Sequence, residues 1–398
     1  MGKKIKESFN ENSPFKMFLI SIVTIGLAYG LYKGIIDNYL AEIVGMGEVE
    51  KGISEFFREL PGVLLVFILA VFYLQTAETL YKIGAAIMVI GFVMHAALPA
   101  TAVIAIASMF VMSLGDHIQL GMRSTLTLSY SKQGRGGEAL GYTNSIHQAG
   151  TLIGFLIVAA VFAFIPNNQP FIIFFYITAA VAFISMIAAF KISGKSKQDA
   201  AKSRFCFKKK YTKYYMLEVF YGSRKQVFMT FGPFVLILFY GASTATISLL
   251  YAISAVACFV ASPVVGKIID KCGYKIVMIM DTLILVVVCF FYGFAHHIFP
   301  KDVAFIICCV NYVLDSVISL ASLASNVYVQ DLADDEDEMK ATISTGVSVN
   351  HVISIFIALF GGMIWNALGI EVLFIISAVL GLCNSAYAAS IKTSGRKL

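Results

Sequence analysis

Twelve long apolar runs, six on either side of a basic stretch, leave this chain few ways to fold. They lie at roughly 16–41, 52–74, 80–98, 101–129, 139–165, 169–190, 214–240, 243–265, 275–297, 302–329, 341–365 and 369–391. A helix crossing a bilayer needs about 20 predominantly apolar residues, and each run is long enough. The chain is 59% hydrophobic and only 14% charged, whereas a soluble domain carries about 25% charged residues. The connections are short, with no room for a soluble domain. The sequence therefore predicts an all-α membrane protein of twelve transmembrane helices.

The second half repeats the first. Tyr29-Gly30-Leu31-Tyr32-Lys33 returns as Tyr221-Gly222-Ser223-Arg224-Lys225, and Tyr81-Lys82-Ile83 returns at nearly the same offset as Tyr274-Lys275-Ile276. Two matches at one offset point to a duplicated chain: two pseudo-symmetric six-helix bundles over 1–190 and 214–398, joined by a linker over 191–213. That linker carries nine basic residues and one acid, Asp199. Lys3, Lys4, Lys6 and Lys16 precede the first run, and Lys392, Arg396 and Lys397 follow the last, while the opposite connections hold little more than Lys51 and Lys301. The positive-inside rule then predicts a multi-pass protein of the plasma (inner) membrane with both termini and the linker in the cytoplasm. The net charge of +6 is on this reading an orientation signal, with no nucleic-acid partner.

Smaller features fit this frame. All seven cysteines fall in the second half, mostly within apolar runs and with no metal-ligand spacing to histidine. They are expected to be buried hydrophobes, and neither a metal nor a cofactor is expected. Gly137 with Gly141 and Gly150 with Gly154 are expected to mark close helix contacts in span five. The acidic stretch from Asp331 to Glu338 is expected to partner the basic linker.

One loop is more specific. Gly266-Lys-Ile-Ile-Asp270-Lys271-Cys-Gly273-Tyr-Lys275, between spans eight and nine, resembles the G-x-x-x-D-[RK]-x-G-x-[RK] signature of the major facilitator superfamily. Twelve spans in a six-plus-six repeat with cytoplasmic termini are similar to that superfamily across nearly the whole chain. The resemblance implies a cytoplasmic gate in which Gly266, Asp270, Lys271 and Gly273 cap helix ends and latch by charge pairing. It also implies that spans one, four, seven and ten line a central cavity, and that the protein works as a monomer. The equivalent first-half loop keeps only Glu78 and Lys82 as charges, so a divergent subfamily is indicated.

The charges independently favour the same four helices. Side chains at i, i+4 and i+7 share a helix face. In span one, Tyr29, Lys33 and Asp37 form a stripe in which Lys33 and Asp37 can pair. In span four, Asp116, Gln119, Arg123, Thr127 and Tyr130 form another. Span seven carries Glu218, Tyr221 and Lys225 with Arg224 beside them, and span ten carries Asp315, Ser319, Ser322 and Asn326. Glu55, Arg58 and Glu59 add charge to span two, and His147 lies in span five. Ionisable groups at membrane depth cost a few kcal/mol and mark pathways or sites.

Two lysines on the cavity helices of opposite halves repel each other until an anion lies between them. Tyr29, Lys33, Arg58, Arg123, His147, Tyr221, Arg224 and Lys225 are therefore the candidate solute-binding residues, and Asp37, Asp116 and Asp315 the candidate proton carriers. Secondary active transport of a small anionic or zwitterionic organic solute by alternating access, coupled to a proton or to a counter-ion in exchange, is the leading reading. The alternative is proton-coupled efflux of amphipathic drugs or lipids. No nucleophile–base pair supports an enzyme.

Overall fold

A computed structural model describes residues 8–9, 13–72, 75–165, 170–193 and 206–391. Lys3, Lys4, Lys6, Lys392, Arg396 and Lys397 of the termini, and Lys195, Lys197, Asp199, Lys202 and Arg204 of the linker, lie outside the described residues. The first half forms α1 (Ser13–Asn38), α2 (Glu48–Val71), α3 (Ala77–Ala97), α4 (Ala102–Tyr130), α5 (Gly136–Phe164) and α6 (Pro170–Phe190). The second forms α7 (Thr212–Tyr240), α8 (Thr244–Cys272), α9 (Tyr274–Ile298), α10 (Lys301–Leu332, interrupted by a 3-10 turn at Ser319–Ser322), α11 (Glu336–Leu368) and α12 (Ile370–Ala389). The architecture is thus twelve helices in two six-helix halves, as the apolar runs require.

Among the described residues ten of these helices are long and apolar enough to cross a membrane by themselves. The other two, α2 and α7, are interrupted by charge along their length: Glu48, Glu50, Lys51, Glu55, Arg58 and Glu59 on one, Lys213, Glu218, Arg224 and Lys225 on the other. Such helices need their charges neutralised inside protein, and both find partners, described below.

The repeat reappears in the packing. In the first half α1 packs against α5 and α6, and α3 against α4 and α6; in the second, α7 packs against α11 and α12, and α9 against α10 and α12. The Y-G phrase explains one matched pair. A Cβ at Gly30 would collide with the backbone carbonyl of Thr151 on α5, and one at Gly222 would meet Asn350 on α11 at 2.9 Å. Each repeated glycine lets the first helix of its half approach the fifth, as small residues do in membrane interfaces. Gly150 and Gly154 serve the same contact from the α5 side. A Cβ at Gly154 would stand 2.6 Å from Leu31 N, and Thr151 Oγ1 donates 3.1 Å to Gly26 O. Gly137 and Gly141 differ from expectation: nothing lies within 4 Å of either, so they mark no contact.

The chain divides into two compact units that nearly follow the repeat. The first comprises Met1–Gly45, Phe57–Ala201 and Ser243–Ala252; the second comprises Met46–Phe56, Lys202–Ala242 and Ile253–Leu398. Each unit thus includes one helix end from the other half of the sequence. In the first unit Ser248 Oγ, at the start of α8, donates 2.9 Å to Phe155 O. In the second, Gly52 of α2 sits where a Cβ would strike the backbone carbonyl of Ala358 on α11.

At one end of the second unit the described part of the linker meets the acidic stretch. Lys208 and Lys210 both pair with Glu338, and Lys210 also reaches Asp334 at 2.9 Å. Hydrogen bonding to Glu338 raises both lysines above their ordinary range. Burial pushes the neighbouring Tyr211 phenol up to about 12.

Candidate functional site

In the first unit the span-one stripe folds as its spacing predicts. Lys33 Nζ stands 2.8 Å from Asp37 Oδ2 one turn along α1, with the lysine side chain 24% exposed and the carboxylate 1%. The sequence did not reveal the third member. Tyr251, on the start of α8, donates its hydroxyl 2.5 Å to Asp37 Oδ2, and its ring lies 5.1 Å beneath Lys33 Nζ. Asp37 is thus neutralised from two sides, and Lys33 gains a cation–π contact. Tyr29, a turn earlier, lies with its ring 6.4 Å from the His147 ring on α5.

The α2 and α4 charges form a second group in the same unit. Arg58 pairs with its neighbour Glu59, and Ser113 of α4 donates to the Arg58 carbonyl. Asp116 lies in the field of Arg58, Glu59, His117 and Arg123. It forms no ion pair with Arg123: the two share a face two turns apart but do not touch. The rest of the expected stripe faces neighbouring helices. Gln119 donates 3.4 Å to Tyr81 O on α3, and Thr127 Oγ1 donates 3.2 Å to Thr143 Oγ1 on α5.

In the second unit the charge of α7 splits by direction. Tyr221 and Arg224 turn inward onto Asp281 of α9. Tyr221 donates its hydroxyl 2.6 Å, and Arg224 Nη2 donates 2.5 Å, to the same oxygen, Oδ2. The guanidinium also lies 4.2 Å over the Tyr221 ring. Arg224 is only 2% exposed, yet its Nη1 has no hydrogen-bond partner. Asp315 of α10, also buried, lies in the field of Arg224, Lys225 and Asp281. Glu218 accepts from Ser325 at 2.8 Å and from Asn350 at 3.4 Å, so hydrogen bonds to α10 and α11 hold this acid.

Lys225 differs from Lys33, its counterpart in the repeat. It is exposed and forms no ion pair among the described residues. The reason is legible locally: four residues beyond Lys33 stands Asp37, and four beyond Lys225 stands Met229. The repeat kept the lysine and dropped its counter-charge.

Two residues that sequence reasoning undervalued matter here. Asp281 is the lone acid of an otherwise largely apolar span, and an unpaired acid in lipid demands a partner; that signal was present without a way to choose Arg224. Lys51, expected in an outer connection, lies inside α2 with 0% side-chain exposure, 2.8 Å from Glu55 and 5.1 Å from the Phe234 ring centroid. The i, i+4 spacing to Glu55 was the available signal.

The loop signature is mostly helical. Gly266, Asp270 and Lys271 belong to α8, which runs two turns beyond its apolar run, and Gly273 alone breaks the chain, with φ +82 before α9. Asp270 and Lys271 are exposed and pair with nothing among the described residues. Lys275 caps the far end of the chain instead, donating 3.0 Å to Ile391 O.

Known proteins share this architecture. Residues 215–393 match the profile of the Major Facilitator Superfamily. The chain superposes on the nucleoside transporter NupG with TM-score 0.75 at 14% identity, covering 96% of this chain and 100% of that one. It matches a D-xylose-proton symporter with TM-score 0.74 at 14% identity, covering 96% and 98%. A POT family transporter in complex with 5-aminolevulinic acid gives TM-score 0.70 at 12% identity, covering 93% and 94%. Among curated protein sequences none matches. The chain is a multi-pass integral membrane protein with a transporter fold. It shares the fold of these transporters, and its second half is similar to the Major Facilitator Superfamily.

Proposed function

We propose that this protein is a secondary active transporter of a small organic solute bearing an anionic group, working by alternating access with proton coupling or exchange. The observation that carries this reading is the α7 cluster. Lys225 has no counter-charge four residues on, and the buried guanidinium of Arg224, one residue earlier, holds an unpartnered Nη1. Arg58 and Arg224 are paired with Glu59 and Asp281, and Lys33 with Asp37. On α7 this leaves an uncompensated charge at Lys225 and an unfilled donor at Arg224 Nη1, and an incoming carboxylate or phosphate can take a charge-assisted hydrogen bond from either.

Asp315 supplies the coupling step. While ionised it shares the field of Arg224 and Lys225; once protonated it leaves both cations to the solute. Proton uptake and anion binding then favour each other, which is the linkage a symporter needs. Asp116 and Asp37 are the corresponding acids of the first unit. One structural relative is a D-xylose-proton symporter, which supports this choice. The basic linker and the positive-inside rule support a plasma-membrane location with cytoplasmic termini and half boundaries at 1–190 and 214–398.

A thermal-shift screen of purified protein against organic anions, zwitterions, sugars, nucleosides and lipophilic cations tests the solute class, because a ligand of the native state raises the apparent Tm by mass action. Stabilisation by anions that vanishes in Lys225→Ala supports the reading. Stabilisation by lipophilic cations alone overturns it. In proteoliposomes Asp315→Asn should retain counterflow and lose accumulation driven by a pH gradient; retained accumulation removes Asp315 as proton carrier.

A further inference from the structure

Away from those clusters, two histidines and a glutamate meet at one end of the second unit. His296 and His297 lie in the last turn of α9, and Glu371 in the first turn of α12. Both imidazoles converge on one carboxylate oxygen: His296 Nε2 is 3.2 Å and His297 Nε2 2.7 Å from Glu371 Oε1. Consecutive side chains on a helix diverge by about 100°, yet these ring centroids stand 3.9 Å apart. The two rings have turned toward a common point.

Their surroundings help hold that arrangement. Gly369, at φ +92, starts α12 so tightly that a Cβ there would meet Glu371 Oε2 at 2.6 Å. The Phe239 ring packs edge-on against His296 at 5.3 Å. No lysine or arginine pairs with Glu371 among the described residues, and its ion-pair partners there are the two imidazoles.

We propose that His296, His297 and Glu371 form a binding site for a divalent transition metal of the zinc class. Imidazole nitrogen and carboxylate oxygen are zinc ligands at about 2.0–2.2 Å, and a tetrahedron with such bonds has edges of about 3.3 Å. All three ligand atoms lie within 4.8 Å of one another, so modest side-chain shifts close the chelate. Two nitrogen donors select zinc, copper, nickel or iron over magnesium and calcium, which prefer all-oxygen shells. The side chains are 22%, 57% and 26% exposed, which leaves the remaining coordination position to water. Both helix ends belong to the same unit, so the metal staples α9 to α12. Sequence spacing gave no sign of the site, because Glu371 is brought to the histidine pair only by the packing of those helices. The proposal does not depend on the solute or its coupling.

Metal binding needs deprotonated ligands, so affinity should fall as the solution is made acidic. The test is calorimetric titration of Zn²⁺ into chelator-stripped, full-length protein in detergent, with Co²⁺ absorption as a second readout. The expected result is one saturable site, weakened roughly 100-fold or more in His296→Ala/His297→Ala because two of three protein ligands are gone, and a Co²⁺ spectrum free of thiolate charge transfer. Glu371→Gln should weaken the site too. Undiminished Zn²⁺ affinity in the double variant, a thiolate band from any of the seven cysteines, or no saturable binding by the wild type would each overturn the proposal. If the double variant does not yield folded protein, the exposed His297→Ala alone provides the same comparison.

Discussion

Replacing Asp281 by asparagine should destabilise the protein far more than its single-atom change suggests. Arg224 is almost wholly buried, and its Nη2 and the Tyr221 hydroxyl both end on Asp281 Oδ2. Asparagine keeps the shape but not the charge, so a guanidinium whose Nη1 already lacks a partner loses its main counter-ion. Breaking a buried ion pair from one side costs about 3–5 kcal/mol, because the surviving charge remains desolvated. Removing both charges is a different experiment. Asp281→Asn/Arg224→Met leaves no buried cation, and replacing such pairs by apolar groups is often nearly neutral. A double-mutant cycle should therefore give a coupling energy of about 3 kcal/mol, with the double variant more stable than Asp281→Asn alone. Reversible SDS titration in mixed micelles, followed by far-UV circular dichroism, measures all four species. A coupling below about 0.5 kcal/mol, the usual additivity error, would refute the reasoning and mean that Arg224 is neutralised elsewhere, Asp315 being the nearest alternative. The double variant also separates structure from transport: if Arg224 contacts the solute, it should be folded and inactive.

Further expectations follow from the same geometry. Lys225→Ala should raise KM for the transported anion roughly ten- to hundredfold, the worth of one charge-assisted hydrogen bond, while changing stability by less than about 0.5 kcal/mol, since the lysine is exposed and unpaired; uptake kinetics beside thermal unfolding check both. Gly154→Leu should cost at least about 1–3 kcal/mol through overpacking against α1, whereas Gly141→Ala, with nothing within 4 Å, should be neutral or slightly stabilising; unfolding titrations of the two compare them directly. Lys208 and Lys210 are raised by Glu338, so their contribution is fully present below the ordinary lysine pKa of about 10.4 and is lost as pH climbs through the raised values. Glu338→Gln should remove it already at neutral pH, read as faster amide exchange in residues 206–211, with wild-type protection persisting up to that alkaline window.

The sequence alone determined the parts of this protein that follow from local geometry and solvent. Twelve apolar runs became twelve helices because a backbone in hydrocarbon must satisfy its hydrogen bonds internally. The repeated Y-G-x-x-K phrase correctly signalled two matched halves, since Gly30 and Gly222 perform the same close approach to the fifth helix of each. Lys33 with Asp37 and Lys51 with Glu55 needed nothing beyond the i, i+4 rise of a helix. Pairs between helices were beyond it. Helical periodicity says which residues share a face and leaves open the rotation of that face toward its neighbour. Only the packed bundle turned Arg224 onto Asp281 while leaving Lys225 outside, brought Tyr251 to Asp37, kept Arg123 out of contact with Asp116, and carried Glu371 to His296 and His297. Those choices depend on the glycine contacts and buried polar groups of several helices at once, and no single helix encodes them.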